Sequence, residues 1–139
     1  MIFKLFSDDI NFHLDNKRKI SNWIKQVISE EGKKVSNLSF VFVSDEIILD
    51  INKKYLKHDY YTDILTFDYS SKDKISGEMY ISIDTVKENA KEYCVDFKNE
   101  LFRVMIHGVL HLCGYNDGSE AEQQNMRALE NKYLSNFEY

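Results

Sequence analysis

A run near the C-terminal end, Leu101-Phe-Arg-Val-Met-Ile-His107-Gly-Val-Leu-His111-Leu112, leaves this chain few choices of fold. Wound at about 3.6 residues per turn, Leu101, Val104, Met105, Gly108 and Leu112 share one apolar arc. Ile106, Val109 and Leu110 fill much of the remaining circumference. A helix that is apolar on nearly every side is a buried one. Two side chains break the pattern. His107 and His111 lie side by side at the edge of the arc, where the wall of a cleft would be. Imidazoles on a buried helix need partners, and a metal ion satisfies both at once.

Histidines four apart stand one above the other on a helix, so both rings reach a single ion. The chain continues Leu-Cys-Gly114-Tyr-Asn-Asp117. Gly114 can take the left-handed conformation that ends a helix, and the turn returns Asp117 towards the rings as an oxygen ligand. Three protein ligands leave one tetrahedral position open, which separates a catalytic zinc from a structural one. Such a zinc brings the pKa of a water it holds down to about 7 and polarises a phosphoryl or carbonyl oxygen. A His-x-x-x-His pair by itself is more often two ordinary helical histidines than a ligand pair. The glycine, the acid and the apolar setting turn the balance towards metal. Zincin proteases carry a glutamate directly after the first histidine as general base. Here that residue is Gly108, which argues against peptide hydrolysis. Spacing and composition therefore reach metal-assisted hydrolysis and stop there.

These residues resemble the YbeY family of bacterial endoribonucleases, the ribosomal RNA maturation factors, whose hallmark is His-Gly-x-Leu-His-Leu-x-Gly-Tyr-Asp-His. The match runs from His107 through Tyr115, and Asn116-Asp117 stands where the family has Asp-His. A second family stretch, Leu-Asn-x-x-Tyr/Phe-Arg-x-x-Asp-x-Pro-Thr-Asp-Val-Leu-Ser-Phe, is similar to Asn52-Lys-Lys-Tyr55-Leu-Lys-His-Asp59-Tyr-Tyr-Thr62-Asp63-Ile-Leu65-Thr-Phe67. Gly77-Glu78-Met-Tyr-Ile81-Ser82 resembles the family's Gly-Asp/Glu-Ile strand, and the matches cover about residues 44 to 134. The resemblance implies a zinc enzyme with one ion per chain, held by His107, His111 and Asp117. It also implies single-stranded RNA as substrate, in small-subunit ribosomal RNA maturation and ribosome quality control. A carboxylate in place of the third histidine makes the site less electropositive and friendlier to other divalent metals. The second departure is Leu56, where the family carries an arginine, and leucine cannot hold a phosphate. Lys57, His58 and Arg103 are the candidates for that charge, and nothing in the residues chooses among them.

At 139 residues the chain can bury a core of its own, and it reads as one domain over residues 1–139. No apolar stretch approaches the roughly eighteen residues of a membrane helix. The opening Met-Ile-Phe-Lys-Leu-Phe-Ser-Asp-Asp lacks the apolar core and cleavage site of a signal peptide. A cytoplasmic protein is expected, with Cys94 and Cys113 reduced. Cys113 points to a different side of the helix from His111 and is read as packing. The net charge of −5 argues against nucleic-acid binding by overall basicity. RNA would need a local patch such as Lys17-Arg18-Lys19, Lys33-Lys34, or Lys53-Lys54 with Lys57.

The periodicities predict a strand over 2–6 and then a helix capped by Asn16 and running to Glu30. Its stripe is Ile20, Trp23, Ile24, Val27 and Ile28, and Gly32 ends it. A core strand follows over Leu38–Val43, then a helix capped by Ser44 and reaching Tyr55. Residues 64–69 and 78–83 read as an antiparallel pair. A helix from Asp84 to Cys94, the metal helix from Lys98 to Cys113, and a last helix opened by the capping box Ser119-x-x-Glu122 complete the chain. The fold class is α/β (α+β), a small mixed sheet of about four strands packed against about five helices.

Thr62, Asp63 and Asp59 either cap the start of a strand or line the cleft, and both readings stand. His13 and His58 read as isolated histidines. Phe67 reads as core, and Tyr55, Tyr60, Tyr61 and Tyr69 as packed rings with exposed hydroxyls rather than base-stacking platforms. Glu120 and Glu122 fit helix-start chemistry. The motifs favour a metal-dependent endoribonuclease over a non-catalytic ribosome-assembly factor with a structural metal, or a metallohydrolase of another substrate.

Overall fold

The computed structural model describes residues 2–55 and 62–139. In chain order these form β1 (Ile2–Ser7), α1 (Lys17–Glu30), β2 (Lys34–Val43), α2 (Asp45–Tyr55), β3 (Ile64–Asp68), β4 (Lys74–Ser82), α3 (Ile83–Glu92), α4 (Phe97–Leu112) and α5 (Glu120–Ser135). The strands make one mixed sheet ordered β1-β2-β4-β3, with β2 parallel to both β1 and β4, and β3 antiparallel to β4. This is the expected class.

Alternation along the strands decides which face each side chain serves. Leu38, Phe40 and Phe42 of β2 and Ile75, Met79 and Ile81 of β4 enter a core shared with α1, α3, α4 and α5. Val41, Val43 and Leu65 turn to the opposite face, where α2 covers them through Ile48. Helix α4 lies at the centre of the larger core. Its Leu101, Met105, Ile106, Val109 and Leu110 are 0% exposed, as an all-round apolar helix requires.

Two glycines set how closely α4 and the sheet approach. A Cβ at Gly77 would lie 2.8 Å from the Phe67 carbonyl oxygen and 3.0 Å from the Leu112 methyls. A backbone oxygen in a sheet cannot move aside cheaply. Gly77→Ala is therefore expected to cost about 1–3 kcal/mol through overpacking. The check is a lower urea midpoint with an unchanged denaturant slope.

The capping box forms as expected. Ser119 Oγ accepts from the Glu122 amide at 3.1 Å, and Glu122 Oε1 accepts from the Ser119 amide at 3.0 Å. Several element ends differ from the sequence expectation. Strand β4 begins at Lys74 rather than Glu78, because Lys74 and Ile75 already pair with β2. Helix α3 starts at Ile83, because β4 runs directly into it and Ser82 Oγ accepts from the Thr85 amide at 3.2 Å. Asn16 opens α1 with φ +61° and no side-chain capping bond, supplying the left-handed turn that asparagine tolerates instead of an acceptor. Strand β2 begins at Lys34, where Lys34 and Val35 pair with Lys74 and Ile75. Backbone bonds extend the ladder beyond the apolar run. Among the described residues no helix is long and apolar enough to cross a membrane.

Candidate metal centre

The end of α4 decides where the chain goes after the two histidines. The Leu110 carbonyl accepts from the Tyr115 amide at 3.1 Å and the His111 carbonyl from the Gly114 amide at 3.0 Å, with Gly114 at φ +107°. This is a Schellman ending, and glycine occupies the position that demands it. The turn brings Asp117 Oδ2 to 3.3 Å from Nε2 of both His107 and His111, whose Nε2 atoms are 2.9 Å apart. Ligands bound at about 2.0–2.2 Å in tetrahedral geometry lie about 3.3–3.6 Å from one another. The three donor atoms therefore form one face of a tetrahedron, slightly tight on the histidine edge. His107, His111 and Asp117 form a group that could hold a metal ion.

The far nitrogens of both rings are tied to protein. His111 Nδ1 lies 2.9 Å from the Tyr115 carbonyl oxygen. A carbonyl only accepts, so His111 donates from Nδ1 and keeps the Nε2 lone pair for a ligand bond. Tyr115 is itself anchored, its hydroxyl donating to Glu31 Oε1 at 2.5 Å, and Tyr133 donates its hydroxyl to the same carboxylate. The bond to Glu31, with burial added, pushes the Tyr115 phenol up to about 12. His107 Nδ1 lies 2.7 Å from Glu130 Oε2. Burial opposes charge on the His107 ring. The Glu130 hydrogen bond and charge, then Asp117 and Asp63, outweigh that and hold its pKa above the ordinary histidine value.

A cleft of about 560 Å³ opens beside the site, lined in part by Asp63, Glu100, Arg103, His107, Asp117 and Arg127. Burial pushes the Asp63 carboxyl up, offset in part by the facing His107. Arg103, one turn before His107, places Nη1 3.2 Å from Glu130 Oε1.

The family pattern described as endoribonuclease YbeY matches residues 6–138. The chain belongs to the endoribonuclease YbeY family. Similar proteins described as endoribonuclease YbeY include one from Parabacteroides distasonis. It is 47% identical over 135 residues, covering 97% of this chain and 95% of that protein. Another, from Phocaeicola vulgatus, is 50% identical over 119 residues, covering 86% of each. The solution structure of TM1509 from Thermotoga maritima matches with a TM-score of 0.67 at 26% identity, over 96% of this chain and 87% of that one.

The YbeY hallmark residues now have physical reasons in this chain. Gly108 lets α4 sit against the sheet, Gly114 makes the turn, and Tyr115 holds His111 with its carbonyl. Both readings of Asp63 hold: it lines the cleft, and its carboxylate accepts from backbone amides at the start of β3, its own and that of Ile64. Thr62 Oγ1 donates within its own segment, to the Ile64 carbonyl at 3.5 Å. Leu56, Lys57, His58, Asp59, Tyr60 and Tyr61 lie outside the described residues. Of the candidate cations, Arg103 is in the cleft. His13 is exposed and faces Asp15 at 3.1 Å. Cys113 packs at the core edge, where burial pushes its thiol up to about 11. Phe67 packs beneath α2, Tyr55 and Tyr69 are exposed, and Glu120 and Glu122 open α5.

Three carboxylates around the site were missed by sequence reasoning: Glu31, which anchors Tyr115, and Glu100 and Glu130, which line the cleft. For Glu130 a signal existed. It is a carboxylate on the same helical stripe as the buried Met126 and Tyr133.

Proposed function

We propose that this chain is a metal-dependent endoribonuclease that cuts single-stranded RNA in small-subunit ribosomal RNA maturation and ribosome quality control. In this reading residues 1–139 form one YbeY-like metallohydrolase domain, working in the cytoplasm. One zinc per chain is held by His107, His111 and Asp117. The observation that carries it is the triangle of donor atoms, 2.9 to 3.3 Å on its edges, facing a cleft large enough for a nucleotide. When bound, such a metal supplies Lewis acidity to a phosphoryl oxygen and acidifies water.

The chain's own residues do the rest. His107 and His111 present Nε2 because their Nδ1 atoms are engaged elsewhere. Asp117 offsets part of the charge of a divalent ion. The Arg103 guanidinium, fixed at the cleft wall by Glu130, is the group placed to hold a phosphate, which its planar fork suits. The overall charge of −5 leaves RNA attraction to this local set. A non-catalytic assembly factor with a structural metal is the competing reading, and the open side of the triangle favours catalysis.

The test is cleavage of a labelled single-stranded RNA oligonucleotide beside its duplex, before and after chelation. Single-strand cutting that chelator abolishes and zinc restores is the expected result. Bound zinc without any cutting would favour the assembly-factor reading. Asp117→His is expected to keep or tighten zinc binding, since imidazole then completes the usual family ligand set. If that variant expels the metal, Asp117 does not occupy the third-ligand position.

A further inference from the structure

Glu130 stands on α5, 23 residues beyond His107, in a place its neighbours make apolar. Met126 and Tyr133, buried on the same helical stripe, flank it. Its side chain is 7% exposed, yet both oxygens are engaged. Oε2 lies 2.7 Å from His107 Nδ1. Oε1 lies 3.2 Å from Arg103 Nη1 and 3.7 Å from Arg127 Nη1. A buried carboxylate is costly unless donors occupy its oxygens. Here one of those donors is the ring that offers its other nitrogen to the donor triangle.

We propose that Glu130 is a positioning residue of the metal centre. Its carboxylate takes the Nδ1–H of His107, which directs Nε2 to the ion, and its second oxygen anchors Arg103 at the cleft wall. This rests on the metal-centre reading given above. A carboxylate only accepts, so the bond selects the Nδ1–H tautomer, fixes the ring plane and raises the basicity of Nε2. The two histidines are thereby held unequally. His111 leans on a neutral backbone carbonyl. His107 leans on a charged carboxylate, and a charge-assisted hydrogen bond is roughly twice as strong as a neutral one. Arg103 and His107 are one turn apart on α4, so a single carboxylate ties the ligand and the cleft cation together.

Competition titrations of zinc against a chromophoric chelator, on the wild-type chain and Glu130→Gln, test the role. Glutamine keeps the shape and loses the charge. Zinc affinity is expected to fall by about 10–100-fold while the metal-free variant still unfolds cooperatively. Equal affinity in the two proteins overturns the inference whatever happens to the melting temperature. A purely structural Glu130 would move the unfolding midpoint and leave the zinc constant in place. A second measurement needs no variant. In the zinc-loaded wild-type chain, long-range proton–nitrogen NMR correlations report which His107 nitrogen keeps its proton. A proton on Nδ1 and metal on Nε2 supports the assignment, and the reverse overturns it. A wild-type chain that takes up no zinc overturns the metal-centre reading itself. That outcome separates failure of the site from failure of the role given to Glu130.

Discussion

His107→Ala and His111→Ala are each expected to reduce the zinc content of the purified protein from stoichiometric to background. Each ring supplies one of the three donor atoms that converge within 2.9 to 3.3 Å. Two remaining ligands no longer define a tetrahedral face. The fold should survive both changes. The two side chains are 25% and 28% exposed, so truncation opens space towards solvent rather than a cavity in the core. Elemental analysis beside a circular dichroism melt separates the two effects. Either variant retaining full metal would sink the site. Asp117→Ala belongs in the same experiment, because its carboxylate is 44% exposed and carries no core packing.

Gly108→Glu is expected to unfold the protein rather than give it protease chemistry, although it writes His-Glu-x-x-His into α4. Position 108 faces the sheet. A Cβ there would already lie 2.8 Å from Ile64 Cδ1 and 2.8 Å from Met79 Sδ. Those two atoms are flexible ends and could yield to a methyl group. They cannot make room for a carboxylate, which would be driven between α4 and strands β3 and β4 against the apolar Ile64 and Met79 side chains. Overpacking costs about 1–3 kcal/mol, and an unpaired buried carboxylate costs several more. The sum is comparable to the roughly 5–15 kcal/mol that holds a typical domain folded. Loss of soluble, cooperatively melting protein is the expected observation. A folded variant with peptidase activity would contradict the helix–sheet contact. The same packing explains in space what the sequence suggested by pattern: the residue after the first histidine is engaged by the sheet and cannot serve as a base.

The features that sequence reasoning read correctly are short in range. The pair of histidines follows from a four-residue spacing, and the apolar stripe of α1 at Ile20, Trp23, Ile24, Val27 and Ile28 is buried as expected. The Gly114 turn and the Ser119–Glu122 capping box close through hydrogen bonds that span only a few residues. Asp117 was legible for the same reason, since one Schellman turn carries it back to the rings. Boundaries slipped where an element's end depends on a neighbour. Strand β2 is extended by pairing with β4, and α3 begins where β4 ends.

Local sequence was thus enough for a buried helix carrying two imidazoles, the turn that ends it and the acid that returns to them. What holds those groups in place came from contacts between segments far apart in the chain. Tyr115 is anchored by Glu31 from 84 residues away, and His107 by Glu130 from 23 residues away. Asp63 reaches the cleft from the start of β3. Apolar burial brings such segments together without direction. A carboxylate on a buried stripe therefore announces that it needs a donor but not which donor it will find. The partner is chosen only when α5 closes over α4 and the hydrogen-bonding geometry of both helices is set at once.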